Sequence, residues 1–122
     1  MNSVCILLTD NDSINEKIII NSYKYLLNIK INKIYFIGSS IKFNKIFKKF
    51  SNKKKFKFIN FNINKNGFFK YLKNITNEAI KICNKDQNTL IINMPINKKK
   101  FLKNRFAGFT EFFSSCIDNK KK

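Results

Sequence analysis

The sequence predicts an α/β fold, a mostly parallel sheet with flanking helices, and three observations predict it. Four apolar runs of strand length lie near Val4, Ile34, Phe56 and Leu90. The segments between them carry apolar residues at spacings of three and four, over about three helical turns. Polar turn residues separate the runs from these segments. Strands that alternate with helices build βαβ units, whose crossovers leave successive strands parallel. At 122 residues the chain is read as a single α/β domain over residues 1–122, ending in a frayed basic tail at 119–122.

The first run, Val4-Cys5-Ile6-Leu7-Leu8, is continuously apolar and suits burial on both faces. Thr9-Asp10-Asn11-Asp12 forms a polar loop, and Ser13-Ile14-Asn15-Glu16 fits a capping box. The helix it opens is expected to run to about Asn28, with Ile14, Ile18, Tyr25 and Leu26 near one face. Ile34-Tyr35-Phe36-Ile37 is the second strand, turned by Gly38-Ser39-Ser40. Residues 41–50 are predicted helical on the spacing of Phe43, Ile46, Phe47 and Phe50. Lys53-Lys54-Lys55 is read as a solvated turn, with an anion patch as its alternative. Residues 56–63 come closest to strand alternation, and residues 64–66 form a turn. Residues 68–84 carry a clear helical stripe of Phe69, Leu72, Ile75, Ala79, Ile80 and Cys83. Asp86-Gln87-Asn88 then returns the chain to Leu90-Ile91-Ile92, a buried strand that, like Val4–Leu8, is expected at the sheet centre.

The last strand meets Pro95, the sole proline, which lacks a backbone donor and turns the chain out of the sheet. Asn97 can cap a lysine-rich helical segment over 98–105, Ala107-Gly108 breaks it, and Thr110 can cap a final helix. Open α/β sheets place ligand sites at strand carboxyl ends of this kind.

Composition narrows the classes of function. The net charge is +18, yet Asn 20, Lys 24, Ile 20 and Phe 14 together make 78 of the 122 residues. Those four residues share A/T-rich codons, so a mutational bias of a reduced, A/T-rich genome accounts for every excess at once. Nucleic-acid binding accounts for lysine alone, and the arginine forks that read bases are missing, since Arg105 stands by itself. Nucleic acid is therefore not the expected partner. No run reaches the roughly 20 apolar residues of a membrane span, and the start does not read as a signal peptide. Cys5, Cys83 and Cys116 are widely spaced, without metal-ligand spacing, and fit thiols buried in a reducing cytoplasm. The glycines are too dispersed for a dinucleotide fingerprint.

Residues 94–98, Met-Pro-Ile-Asn-Lys, followed by 108–113, Gly-Phe-Thr-Glu-Phe-Phe, resemble the 4-hydroxythreonine-4-phosphate dehydrogenase family of vitamin B6 biosynthesis. That family has a strand running into Pro-Ile-Asn-Lys, then Gly-His-Thr-Glu-Phe. Its Ile-Gly after the second strand is similar to Ile37-Gly38, and its first strand also runs into an acidic loop, here holding Asp10. The similarity covers nearly all of this chain and about the first third to two-fifths of a family enzyme. It implies part of an isocitrate/isopropylmalate-dehydrogenase-like fold, and oxidation of 4-phosphohydroxy-L-threonine with NAD or NADP and a divalent metal, on the way to pyridoxal phosphate. It also implies a homodimer or, for a truncated or split form, a complementary fragment.

By the same resemblance Thr110, Asn97, Lys98 and Asp10 are the candidate substrate-binding residues. Asn97 and Lys98 could orient and charge-pair a phosphate or carboxylate, or serve as a cap and a solvated lysine. Thr110 could bind substrate, cap a helix, or do both. Asp10 is a substrate-site carboxylate or a structural residue near a helix start. The family's motif histidine is Phe109 here, the chain has no histidine, and the family's three metal-binding histidines lie downstream of the matched region. Catalysis by these residues alone is not expected. The alternatives are a non-catalytic basic α/β module that binds polyanions or a partner, and a decaying gene product.

Overall fold

All four apolar runs are strands: β1 Ser3–Leu7, β2 Lys33–Gly38, β3 Phe56–Asn60 and β4 Thr89–Asn93. The structure, a computed structural model, describes residues 3–9, 13–63 and 67–93, with the backbone alone at 13–15. The strands form one all-parallel sheet in the order β3-β2-β1-β4, flanked by α1 Ser13–Asn21, α2 Tyr23–Asn28, α3 Asn44–Phe50 and α4 Phe68–Lys85. The α/β reading of the sequence is therefore the observed architecture.

Two steps, β1 to β2 and β2 to β3, run in one direction across the sheet. The third carries the chain back past both strands to the far side of β1. A common crossover hand then requires the last helix to lie on the opposite face, and it does. Val4, Ile6, Leu8, Ile34, Phe36 and Phe56 pack with Phe43, Ile46 and Phe50 of the α3 region and with residues of α1 and α2. Cys5, Leu7 and Ile37 pack on the other face with Tyr71, Leu72, Ile75, Ala79 and Ile80 of α4. Both faces are covered, which is why β1 reads as a continuous apolar run. Phenylalanine supplies the bulk of the first core: Phe50 meets Phe36 at 4.7 Å and Phe56 at 4.8 Å between ring centroids.

Several local expectations are corrected. The first helix is broken at Ser22, whose hydroxyl (2.9 Å) and amide (3.1 Å) both donate to the Ile18 carbonyl. Ile18 (58% exposed) and Tyr25 (70%) face outward, while Ile19, Ile20, Tyr23, Leu26 and Leu27 make the contacts. Three consecutive isoleucines do not specify a face, and the break resets the phase. The helix α3 starts at Asn44 rather than at residue 41, after a turn in which the Phe43 amide donates to the Ser39 carbonyl at 2.9 Å. The strand β3 stops at Asn60. Phe56 and Phe58 face one core and Ile59 the other, so β3 too is apolar on both sides. Finally, β4 pairs with β1 but, among the described residues, sits at an edge of the four-stranded sheet, with Leu90 43% and Ile92 45% exposed. Apolar content alone did not make it central.

Lys53 and Lys54 are exposed as expected, but Lys55 is half-buried. Its ammonium donates to the carbonyls of Leu27 (2.9 Å) and Ile29 (2.7 Å) and caps the carboxyl end of α2. Among the described residues, no helix is long and apolar enough to cross a membrane.

Candidate functional site at the carboxyl ends of the strands

The reversal of strand order between β1 and β4 creates a topological switch point, and in open parallel sheets ligands bind outside the carboxyl ends of strands there. The two strands run in register to their last residues, Leu7 opposite Asn93. The stretches that follow them in the chain therefore leave adjacent strand ends.

The floor of this edge is tightly built. The Leu8 amide donates to the Ile37 carbonyl at 2.9 Å and extends the β1–β2 ladder, and Leu8 and Thr9 are both buried. Tyr71 reaches in from the first turns of α4. Its hydroxyl donates to the Leu8 carbonyl at 2.6 Å and accepts the Ser39 amide at 3.0 Å. One buried side chain thus ties the outgoing ends of β1 and β2 together. Burial pushes the Tyr71 hydroxyl well above the ordinary tyrosine range, only partly offset by the Ser39 amide, so it stays a neutral donor.

Gly38 makes the clamp possible. A Cβ at this position would lie 2.6 Å from both Leu8 Cβ and the Tyr71 hydroxyl oxygen. Beyond it, the Lys42 amide donates to Ser39 Oγ at 3.2 Å, and the Ser40 amide donates to Asn60 Oδ1 at 2.8 Å. Leu8, Thr9, Gly38, Ser39, Ser40, Asn60 and Tyr71 bring no charged side chain to the edge. They offer neutral hydrogen bonding on a rigid base.

The opposite ends of the strands are held by Asp86. Its carboxylate accepts the Ser3 hydroxyl at 3.3 Å and the Asn88 amide at 3.0 Å, which fixes the turn into β4. The two described cysteines lie between β1 and α4. Burial, reinforced by Cys83 and Glu78, pushes the Cys5 thiol up to about 12, and burial followed by Asp86 raises Cys83. Both shifts favour the protonated thiol over the thiolate. Cys116 lies outside the described residues.

Asp10, Asn97, Lys98 and Thr110 also lie outside the described residues. What the structure brings together is the pair of strand ends from which the chain enters the Asp10 loop and the stretch holding Asn97 and Lys98. Tyr71 and Ser39 were missed in the sequence. Tyr71 lies within an apolar helical stripe, and the available signal was chemical: a tyrosine on a buried face needs a partner for its hydroxyl. A lone glycine at the end of a buried strand is the matching half of that signal.

Comparison with protein families, curated proteins and solved structures finds no match. Among the described residues, no group of three His, Cys, Asp or Glu side chains could hold a metal ion. The β1 end also lacks a glycine-rich turn to admit a pyrophosphate.

Proposed function

We propose that these 122 residues carry part of the substrate wall of a site resembling that of the 4-hydroxythreonine-4-phosphate dehydrogenases and do not turn over substrate alone. One observation carries the reading. The strand order β3-β2-β1-β4, with Leu7 opposite Asn93, starts both motif-bearing stretches from neighbouring strand ends at a switch point. On this reading Lys98 pairs with the phosphate or carboxylate of 4-phosphohydroxy-L-threonine, Asn97 orients it, and Thr110 and Asp10 add hydrogen bonds. The family's NAD or NADP and divalent metal would belong to a complementary fragment or a second copy. The exposed Leu90 and Ile92 on β4 support a need for such a partner.

The test is a titration of the purified chain with 4-phosphohydroxy-L-threonine, followed by amide NMR. Saturable binding should appear without NAD reduction, and Lys98→Ala should weaken it at least tenfold, about 1.4 kcal/mol. No saturable binding, or equal binding by Lys98→Ala, overturns the reading.

A further inference from the structure

We propose that the outward face of α3, with the turns on either side, is a binding strip for the phosphodiester backbone of nucleic acid. The inference is independent of the switch-point reading and rests on a different part of the fold. Phe43, Ile46 and Phe50 turn α3 inward onto the sheet. Lys42, Lys45, Lys48 and Lys49 are exposed, and Lys53 and Lys54 continue the exposed series in the turn before β3, whereas Lys57, between Phe56 and Phe58 on β3, projects onto the α4 face of the sheet. Eight lysines fall between residues 42 and 57, and no Asp or Glu occurs anywhere from residue 17 to residue 77.

Two of the eight have duties within the fold. Lys55 caps α2, and the Lys49 ammonium lies 4.7 Å from the centre of the Tyr23 ring. The side chains of Lys42, Lys45, Lys48, Lys53 and Lys54 make no hydrogen bond or ion pair among the described residues. Lysines three and four apart on a helix have Cβ atoms about 5–6 Å from one another and repel. A seven-residue helix has few backbone bonds to offset this. A polyanion laid along the strip relieves the repulsion and releases its own counterions.

Compositional bias explains why lysine is abundant but not why it gathers here. On the opposite face, Lys70, Lys73, Lys81 and Lys85 of α4 share their surface with Glu78 on the helix and Asp86 just after it. Without arginine, the α3 strip can hold a backbone but cannot read base edges by paired hydrogen bonds. Binding should therefore be indifferent to sequence.

The experiment measures affinity for a labelled 20-base-pair DNA duplex by fluorescence anisotropy at about 50 mM salt and upward. It compares the native chain with two variants of equal net charge. One carries Lys45→Glu, Lys48→Glu and Lys53→Glu, and the control carries Lys70→Glu, Lys73→Glu and Lys81→Glu. The strip variant should bind at least tenfold more weakly than the control, and its slope of log K against log salt should fall by about 2–3. Equal losses would assign binding to net charge and overturn the proposal, as would failure of the native chain to bind. Competition by poly-L-glutamate as strong as by unlabelled DNA, at equal charge, would overturn the phosphodiester assignment. Lysine acetylation of the native chain with and without duplex gives a readout that does not depend on a variant folding. Protection should concentrate at 42–54, and uniform protection that includes Lys70, Lys73 and Lys81 counts against the strip.

Discussion

Replacing Gly38 by alanine should unsettle the end of the sheet out of proportion to one methyl group. The added Cβ would stand 2.6 Å from Leu8 Cβ, 2.6 Å from the Tyr71 hydroxyl oxygen and 3.2 Å from the Leu8 carbonyl oxygen. Carbon atoms prefer about 3.5–4.0 Å, so β1 and Tyr71 must retreat by roughly 1 Å. Neither retreats easily. Leu8 Cβ is bonded to the backbone, and Tyr71 sits in the core at 2% exposure. Overpacking of this kind costs about 1–3 kcal/mol. Displacing the tyrosine also strains its bonds to the Leu8 carbonyl and the Ser39 amide, and each buried polar group left unpaired costs about 1–3 kcal/mol. The expected loss for Gly38→Ala is about 2–5 kcal/mol, a large share of the stability of a small domain. Tyr71→Phe keeps the ring and removes both bonds, for about 2–4 kcal/mol. Because the two changes break the same bonds, the double variant should fall short of additivity by about 1–2 kcal/mol. Urea unfolding followed by far-UV circular dichroism suits a chain with no tryptophan. A Gly38→Ala loss under 0.5 kcal/mol, or full additivity, would refute the clamp.

Lys55→Met keeps most of the side-chain length and removes the cap on the Leu27 and Ile29 carbonyls; a loss of about 1–2 kcal/mol in urea unfolding is expected, against almost none for exposed Lys54→Met. The Cys5 thiol predicts an alkaline weakness. Its ordinary value of 9.0 is raised to about 12 in the fold, so the folded state holds the proton longer than the unfolded chain. The stability associated with this group is fully present below pH 9 and is lost as pH rises towards about 12, at up to about 1.4 kcal/mol per pH unit. Cys5→Val should flatten that fall relative to the native chain in urea titrations at pH 8, 9.5 and 10.5, and parallel losses would show that the thiol is not responsible.

The strands and α4 were legible in the sequence because burial on both sheet faces leaves continuous apolar runs, and a helix packed along one side leaves a stripe. Leu72, Ile75, Ala79 and Ile80 lie on the predicted side of α4. Where the pattern was degenerate, the reading failed. Ile18, Ile19 and Ile20 carry no phase, and the helix breaks at Ser22. The edge position of β4 was illegible because Leu90, Ile91 and Ile92 match the composition of a central strand. The site was legible only in part. Gly38 was visible as a turn residue, but its contact with Leu8 and Tyr71 joins residues far apart in sequence. No local pattern encodes that approach.

The two edges of the sheet differ in a way that separates the two proposed surfaces. The β3 edge carries the exposed Lys57 and follows directly on Lys53, Lys54 and Lys55. Charge of this kind on an edge strand opposes pairing with another strand. The β4 edge has no charged residue in Thr-Leu-Ile-Ile-Asn and leaves Leu90 and Ile92 close to half exposed. A complementary fragment or second copy that extends the sheet is therefore favoured at β4 and opposed at β3. Polyanion binding on the outward face of α3 and completion of the crevice at the carboxyl ends of β1 and β4 thus use different surfaces. Neither needs to displace the other.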